Sequence, residues 1–304
     1  VRDAENVIVD HCSVSWTLDE AVNTYHGSKI LTMQWCLISE SLHDSKVREG
    51  HGFAASLGGV NTSYHHNLFA NNAGRNPSIA GGNMKNPSIN LDFRNNVIFN
   101  WAHRTLDGRP HSINVVNNYY KAGPASRDDL KIVKMQSLHD GTFGKWYIQG
   151  NVLEDRSELQ SRKGLVTIDS EHLAIESAML DDPVDFAPVT TQTSEEMYED
   201  VVRFAGAVLP KRDALDLRII REVRSGKTTF GDGIISSQTV VGGWPKLQSA
   251  KPEPDSDGDG MPDEWERRFS PNKGLSLQSV GDLDGDGYTN LEEYLNQTDP
   301  TQKN

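Results

Sequence analysis

Two acidic segments near the C-terminus have the residue types and spacing of calcium-binding loops. Each places Asp, Asn or Glu at positions 1, 3, 5, 9 and 12 of a twelve-residue loop, with glycine at position 6, as in an EF-hand. The glycine permits a sharp turn, the carbonyl at position 7 is a ligand, and the last glutamate binds through both oxygens. The loops consist of Asp255, Asp257, Asp259, Gly260, Met261, Asp263 and Glu266, and of Asp282, Asp284, Asp286, Gly287, Tyr288, Asn290 and Glu293.

The second loop begins 27 residues after the first, at residue 282 against residue 255. We therefore expect a small EF-hand-like module that binds Ca²⁺, with short helices over residues 263–269 and 291–296. A structural role, or attachment to a surface or scaffold partner, is the expected function of this tail.

Two further groups of charged residues lie in the N-terminal half. Arg75 follows an apolar run and precedes Asn76-Pro77, where the proline makes the turn stiff. Asp19 and Glu20 follow Trp16 and offer carboxylate oxygens, which suit calcium. In each case the alternative is a solvated loop residue without a chemical role.

Six apolar runs of similar character recur through the first 155 residues. Aligned by their centres, they place Cys12, Cys36, Asn67, Asn96, Asn118 and Asn151 in one column, at intervals of 24, 31, 29, 22 and 33 residues. Such intervals, with loops of varying length, favour a solenoid of stacked coils. An asparagine at each bend can bond to backbone or to its neighbour in the next coil. A β-sandwich with Asn-rich turns is the alternative, but the asparagines lie within the runs rather than between them.

The two cysteines occupy this column on adjacent coils. Stacked strands lie about 4.8 Å apart, which is close to the Cα separation of a disulfide. A bridge between Cys12 and Cys36 and a pair of free thiols both stay open.

Beyond Glu154 the pattern changes to helical spacing, over residues 195–209 and 212–226, and Ser225-Gly226 is a predicted C-cap. Residues 251–254, Lys-Pro-Glu-Pro, read as a linker. The expected domains are an N-terminally truncated catalytic β-helix over 1–155, a partly helical extension packed on it over 156–250, and the linker with its calcium loops over 251–304.

The charge distribution limits the partners. The chain of 304 residues has a formal net charge of −13, and residues 251–304 hold 13 acidic against 5 basic residues, or −8 of that total. Nucleic-acid binding is not expected, because it requires a basic stripe. No apolar run is long enough for a predicted membrane span.

The segments VIVDHCSVSWTLDEAV, HHNLFANNAGRNP, NNVIFNW and VNNYYKAGP together resemble the pectate lyase branch of the polysaccharide lyases, over about residues 1–155. The resemblance implies a mainly β fold, the right-handed parallel β-helix, in a secreted or cell-surface bacterial enzyme. It also implies that the substrate is polygalacturonate, cleaved by β-elimination with calcium. A divalent cation on the uronate carboxylate would neutralise it while a second negative charge develops beside it.

The resemblance assigns calcium ligands. Asp19 heads the segment that matches a calcium-binding motif, Asn23 stands at the position of a second acidic ligand, and Glu20 is a substitute for it. The family takes another ligand from an aspartate about a dozen residues before the Asp10-His11 pair, which would fall before Val1. Whether the primary calcium site is complete therefore stays open.

The resemblance also assigns roles to cations. Arg75 corresponds to the proposed base that removes the C5 proton, or it acts as an electrostatic stabiliser. Lys46 and His51 are two candidates for a lysine that grips the substrate. Arg104 and Arg109 are expected on the next coil, where they would meet the acidic chain.

Two other functions remain as alternatives. A noncatalytic β-helix that binds acidic glycan is favoured by the missing upstream aspartate and by Ser78, where some relatives carry an arginine. A polygalacturonase shares the β-helix and a Gly-His-Gly segment, present here at residues 50–52, and hydrolyses its substrate with paired aspartates. The required aspartate cluster is absent before His51.

Overall fold

Three sheets of parallel strands form the first part of the chain. The computed structural model describes residues 1–304 except 81, 128–130, 157–161, 171–173, 187, 247–250, 271–276 and 304. This part of the chain divides into two units, Val1–Pro245 and Lys246–Asn304. All strands of the described residues belong to the first unit.

The first sheet contains β1 (Glu5–Asp10), β4 (Lys29–Gln34), β7 (Val60–His65), β10 (Ile89–Arg94), β13 (Ser112–Val116) and β16 (Lys145–Gln149). The second contains β2 (Ser13–Ser15), β5 (Leu37–Ser39), β8 (Leu68–Ala70), β11 (Val97–Phe99), β14 (Tyr119–Lys121) and β17 (Val152–Leu153). The third contains β3 (Val22–Asn23), β6 (Ala55–Ser56), β9 (Ser78–Ile79), β12 (Leu106–Gly108), β15 (Val133–Met135) and β18 (Val166–Ile168).

Successive strands along the chain lie in different sheets, and every third strand pairs in parallel with the one before it in the same sheet. Each coil of the chain therefore contributes one strand to each sheet. This arrangement is a parallel β-helix, as the sequence predicted. Strand β18 pairs with β15, so the coils continue past residue 155, where the sequence placed the end of the solenoid.

Alternation along the strands fills the interior of the helix. In the first sheet, Leu31 aligns with Thr62, Leu91, Ile113 and Trp146 of the following strands, and all five are buried. Because side chains alternate between the two faces of a strand, every second residue of each strand points into the interior. Stacking of like residues in neighbouring coils then gives one continuous apolar core.

The predicted asparagine column is a hydrogen-bonded ladder at the bend between the first and second sheets. The side-chain amide of Asn67 donates to Asn96 Oδ1 at 3.1 Å, that of Asn96 to Asn118 Oδ1 at 2.9 Å, and that of Asn118 to Asn151 Oδ1 at 2.8 Å. All four residues are buried. The ladder satisfies polar groups that would otherwise be costly inside the protein.

Cys12 and Cys36 stand at the head of the same column as free thiols. Cys12 is exposed and Cys36 is buried, and burial raises the pKa of Cys36 to about 12. The thiol of Cys36 is therefore protonated at neutral pH, which disfavours oxidation.

The described helices are short or lie outside the coils. They are α1 (Arg162–Leu165), α2 (Ser194–Phe204), α3 (Ala214–Ser225), α4 (Asp263–Phe269) and α5 (Asn290–Asn296), with 3₁₀ turns at Ile175–Ser177 and Gln238–Val241. A capping box formed by Thr193 and Glu196 starts α2. Gly226, in the left-handed conformation, ends α3. Among the described residues, no helix is both long and apolar enough to cross a bilayer.

Helices α2 and α3 cover the outer face of the second sheet. Val201 of α2 and Ile219 of α3 are fully buried in one apolar cluster with Leu68 and Val97. The helical extension therefore packs on the solenoid, because the outward residues of these strands are apolar and would otherwise be exposed.

A buried ion pair fixes α3 to the coils. The two terminal guanidinium nitrogens of Arg218 donate to the carboxylate of Glu40, at 2.7 and 2.8 Å. One of them also donates to Glu222 at 3.1 Å. Trp16 Nε1 donates to Glu40 and Asn71 Nδ2 donates to Glu222. The charges are thus surrounded by hydrogen-bond partners, which a buried ion pair needs.

Candidate functional site

The segments that lead into the third sheet stack on one another in four consecutive coils. Ala21 N donates to Phe53 O at 3.3 Å, Ala54 N to Gly74 O at 3.1 Å, and Asn76 N to Thr105 O at 3.2 Å. Backbone pairing therefore brings Glu20, Phe53, Arg75 and Arg104, each next to one of these residues, into one stack although they are far apart in sequence.

Arg75 lies at the centre of this stack. Its guanidinium contacts the carboxylate of Glu20 and sits 4.1 Å from the centre of the Phe53 ring. The Arg75 side chain is 29% exposed and the Glu20 side chain only 7%. Asn76 Nδ2 donates to Asn72 O at 3.3 Å, which anchors the turn. The sequence was right that a stiff turn presents this cation.

The surroundings lower the pKa of Arg75. Burial lowers its pKa and the charge of Arg104 lowers it further, whereas Asp19 and Asp107 act in the opposite direction. Contact with the Glu20 carboxylate also favours the charged form. A ligand that draws Glu20 away would therefore make Arg75 a better proton acceptor.

Asp19, Glu20 and Asn23 offer oxygen atoms close together in sequence. Asp19 Oδ2 pairs with Arg48 at 2.6 Å, but Asp19 Oδ1 is buried without a hydrogen-bond partner. Asn23 Oδ1 is likewise buried without a partner. Two buried oxygens without donors, one of them charged, fit a cation with oxygen ligands such as Ca²⁺. Glu20 is engaged by Arg75 in this structure.

The other predicted cations divide into two groups. The guanidinium of Arg104 lies 5.1 Å from the centre of the Phe53 ring. The centre of the His51 ring lies 5.2 Å from the centre of the same Phe53 ring. Lys46 is exposed in the loop after β5, and none of its contacts in the described residues reaches this cluster. Arg109 directly follows β12, a middle strand of the third sheet, and its backbone N–H donates to Ile79 O at 3.1 Å.

Phe53 and Arg48 are residues of the site that sequence reasoning missed. Phe53 supports both arginines, and Arg48 holds one oxygen of Asp19. Both lie within residues 43–53, the segment that also contains Lys46 and His51. An aromatic residue two positions after His51 was the available signal for a guanidinium platform.

The tail forms two loops of the predicted kind. The ligand oxygens of Asp255, Asp257 and Asp259 lie within 4.8 Å of one another, and those of Asp282, Asp284 and Asp286 do the same. Carboxylates at this separation repel one another strongly unless a cation lies between them. The two sets therefore fit calcium.

Glycines and helices complete both loops as predicted. Gly260 and Gly287 adopt positive φ, 95° and 105°, and each backbone N–H donates to the first aspartate of its loop. Helices α4 and α5 begin at Asp263 and Asn290 and carry Glu266 and Glu293 into the interior of the tail. Burial raises the pKa of Glu293, and the nearby charges of Asp284 and Asp286 raise it further.

Residues 255–268 and 282–303 match the family described as Bacterial TSP3 repeat. This match covers the two acidic loops for which the sequence predicts calcium binding. Neither it nor the described residues of the tail indicate a scaffold partner.

The whole chain is similar to fungal proteins named "Probable pectate lyase C". It is 30% identical over 315 residues to that of Aspergillus terreus and 28% identical over 312 residues to that of Neosartorya fischeri. Each match covers 99% of this chain and 67% of the relative, so it extends well beyond the 155 residues that carried the resemblance. Because these relatives are fungal, they do not support the predicted bacterial origin.

Among solved structures, the chain is similar to "pectate lyase Bsp165PelA from Bacillus sp. N165 in complex with trigalacturonate", with 17% identity and a TM-score of 0.47. That match covers 69% of this chain and 61% of the other. On the sequence identity and coverage shared with the fungal proteins, together with the β-helix, the chain belongs to the pectate lyase family.

Proposed function

We propose that the protein cleaves polygalacturonate by calcium-assisted β-elimination at the cluster around Arg75. The observation that carries this proposal is the placement of Arg75, half-buried against Phe53 with a lowered pKa, next to Asp19 and Glu20. The cluster combines a candidate proton acceptor, a second cation and two unpartnered buried oxygens, which is what elimination beside a carboxylate requires.

Asp19 and Asn23 would hold the calcium ion, because their buried oxygens lack donors. When bound, the ion neutralises the uronate carboxylate next to C5. Glu20 holds Arg75 in place before substrate arrives, and release of this contact makes the guanidinium a better proton acceptor. Asp19 keeps its orientation through Arg48.

Arg75 then accepts the C5 proton. The electron pair of the C5–H bond forms the C4=C5 double bond, the C4–O4 bond breaks, and the departing oxygen takes a proton from water. The hydroxide that remains takes the C5 proton from Arg75, which returns to its neutral form. Arg104 stabilises the negative charge that develops and keeps the pKa of Arg75 low. Phe53 holds both guanidinium groups over one ring, and His51 packs beside it. We place His51 rather than Lys46 next to the substrate.

The tail loops are proposed to bind Ca²⁺ for a structural purpose, because extracellular calcium is abundant enough to keep such loops filled. A polymeric substrate lies outside the cell, so we also propose that the protein is secreted or held at the cell surface.

The test is the ultraviolet absorbance of unsaturated uronide released from polygalacturonate, with calcium and with chelator. Calcium-dependent absorbance supports the proposal. New reducing ends without absorbance would instead indicate hydrolysis. Binding without either product would indicate the noncatalytic alternative.

A further inference from the structure

A cleft of about 660 Å³ lies on the outer face of the first sheet, and its described lining shares no residue with the candidate catalytic cluster. Its floor is a row of outward side chains, Ile8, Thr32 and Ser63, which are aligned on β1, β4 and β7. Its walls include Phe186, in the segment before α2, and Phe204 at the end of α2. We call this space the first-sheet cleft.

The segment before α2 covers the same face of the sheet on later coils. The side chain of Asn114 on β13 donates to Val184 O at 3.0 Å, and that of Asn95, just after β10, donates to Gln192 O at 2.8 Å. The first-sheet cleft lies over the earlier strands, where this cover ends and Ile8 is left 65% exposed. The cleft is therefore an open part of a face that is covered elsewhere.

The residues described around the first-sheet cleft bring no positive charge into it. None of them is a lysine or arginine, and their one carboxylate, that of Asp200, accepts a hydrogen bond from Gln192 at 2.7 Å. Burial lowers the pKa of both histidines in the lining, that of His65 to about 4, where the charges of His66 and Arg94 act in the same direction. Both imidazoles are therefore neutral at neutral pH, and an acidic ligand would meet a carboxylate without a cation.

Unused hydrogen-bonding groups line the cleft beside apolar surface. The side chains of Thr32, Gln34 and Thr190 have no hydrogen-bond partner among the described residues. Hydroxyl and amide groups can both donate and accept hydrogen bonds. Ile8 and Phe204, by contrast, expose 65% and 39% of their surface. A sugar ring presents apolar C–H faces and hydroxyl edges, so a neutral saccharide matches both kinds of surface.

The shape of the cleft suits a short chain of sugar rings. Phe204 stands at 89° to Trp35, with 6.1 Å between the ring centres, so the two rings form a corner in the wall. Arg203 packs 4.8 Å from the centre of the Phe204 ring but does not line the cleft. Concave sites of about 300–1,000 Å³ suit small ligands, whereas a protein partner needs roughly 800 Å² of surface on each side.

We propose that the first-sheet cleft binds a neutral oligosaccharide, as a second glycan site that is separate from the one at Arg75. Such a ligand satisfies Thr32, Gln34 and Thr190 and covers the exposed apolar side chains. The site holds the protein on a neutral polysaccharide while the cluster around Arg75 acts on an acidic one. The inference does not depend on the proposed elimination, because none of the described lining residues belongs to that cluster.

The test is calorimetric binding of four neutral probes, the β-1,4-linked tetraoses of xylose, glucose, mannose and galactose. Phe204→Ala removes part of the apolar wall, and Gln34→Ala removes a hydrogen-bonding group on β4. Leu217→Ala is the control, because Leu217 is an apolar residue of α3 that is 46% exposed and does not line the cleft. Thermal unfolding of each variant checks that the fold is kept.

We expect the unmodified protein to bind at least one of these tetraoses. Its affinity should be about tenfold lower in Phe204→Ala and in Gln34→Ala and unchanged in Leu217→Ala. Tetragalacturonate should not displace the bound probe, because the described lining has no cation for its carboxylates. Failure to bind any of the four probes, equal affinity in Phe204→Ala and Leu217→Ala, or displacement by tetragalacturonate would overturn the proposal.

Discussion

The guanidinium of Arg75 contacts the carboxylate of Glu20, although the two residues belong to coils that are two turns of the solenoid apart. Phe53, on the coil between them, lies 4.1 Å below the same guanidinium. The contact gives Arg75 one fixed position and, while it lasts, favours the charged guanidinium.

The rate of elimination should rise with pH over the alkaline range. The pKa of Arg75 is below its ordinary value because of burial and Arg104, and only the neutral form accepts a proton. A lower pKa means more neutral arginine at a given pH, so the rising limb appears at lower pH than for an exposed arginine. A pH profile of kcat/KM measures this limb.

Arg104→Gln should move that limb to higher pH, because the nearby positive charge that lowers the pKa of Arg75 is lost. Lys211→Gln, an exposed residue between α2 and α3, is the matched control and should leave the limb in place. A rate independent of pH, or the same limb in both variants, would argue against Arg75 as the proton acceptor.

Gly108→Ala should destabilise the solenoid below the site. Gly108 has φ of 138°, and an added Cβ would lie 2.5 Å from the backbone oxygen of Ile79 on the adjacent strand. Backbone cannot yield as a flexible side chain can, so we expect a loss of about 1–3 kcal/mol in the free energy of unfolding. Gly141→Ala is the control, because Gly141 also has a positive φ, 83°, but its added Cβ would meet nothing within 4 Å. Equal losses in thermal unfolding of the two variants would contradict this account.

Arg218→Met should lower the free energy of unfolding by about 3–5 kcal/mol, because it leaves the buried carboxylate of Glu40 without its partner. Arg224→Met is the control, since its pair with Glu199 spans 3.6 Å between side chains that are 54% and 68% exposed. That change should cost less than about 1 kcal/mol. Denaturant unfolding of both variants measures the difference, and similar losses would show that the buried pair does not fix α3.

Asp255→Asn and Asp282→Asn should each remove one calcium ion from the tail, because each takes a charge from a set of three carboxylates within 4.8 Å. Glu264→Gln, whose side chain is 80% exposed on α4, should leave the stoichiometry unchanged. Calorimetric titration with calcium counts the sites. Full stoichiometry and affinity in the aspartate variants would show that the loops do not bind the ion.

The asparagine ladder was predictable from the sequence because each rung requires the same residue type at the same bend, whatever the loop lengths. A second column four residues later, with Asn71 and Asn100, was visible in the same alignment but was not recognised. Asn100 Nδ2 donates to Asn71 Oδ1 at 2.8 Å.

The contacts that complete the site were not predictable. Phe53 reaches Arg75 only because two loops of different length end at the same level of the stack, and loop length carries no register signal. The pair between Glu40 and Arg218 joins residues 178 apart in sequence, and an acidic residue in an apolar run gives no indication of its partner. The turn that carries Arg75 was predictable because Asn76-Pro77 is a local signature, and the catalytic role of Arg75 stays a prediction.

Arg75 is proposed to remove a proton in a calcium-dependent elimination. The measurement that tests this is the initial rate of unsaturated uronide formation from polygalacturonate, with calcium, for Arg75→Ala and for Arg109→Ala, which changes the residue just after β12. We predict a loss of about 100-fold or more for Arg75→Ala and a small change for Arg109→Ala, with oligogalacturonate binding retained in both. Calcium-dependent product at an unchanged rate in Arg75→Ala would contradict the account.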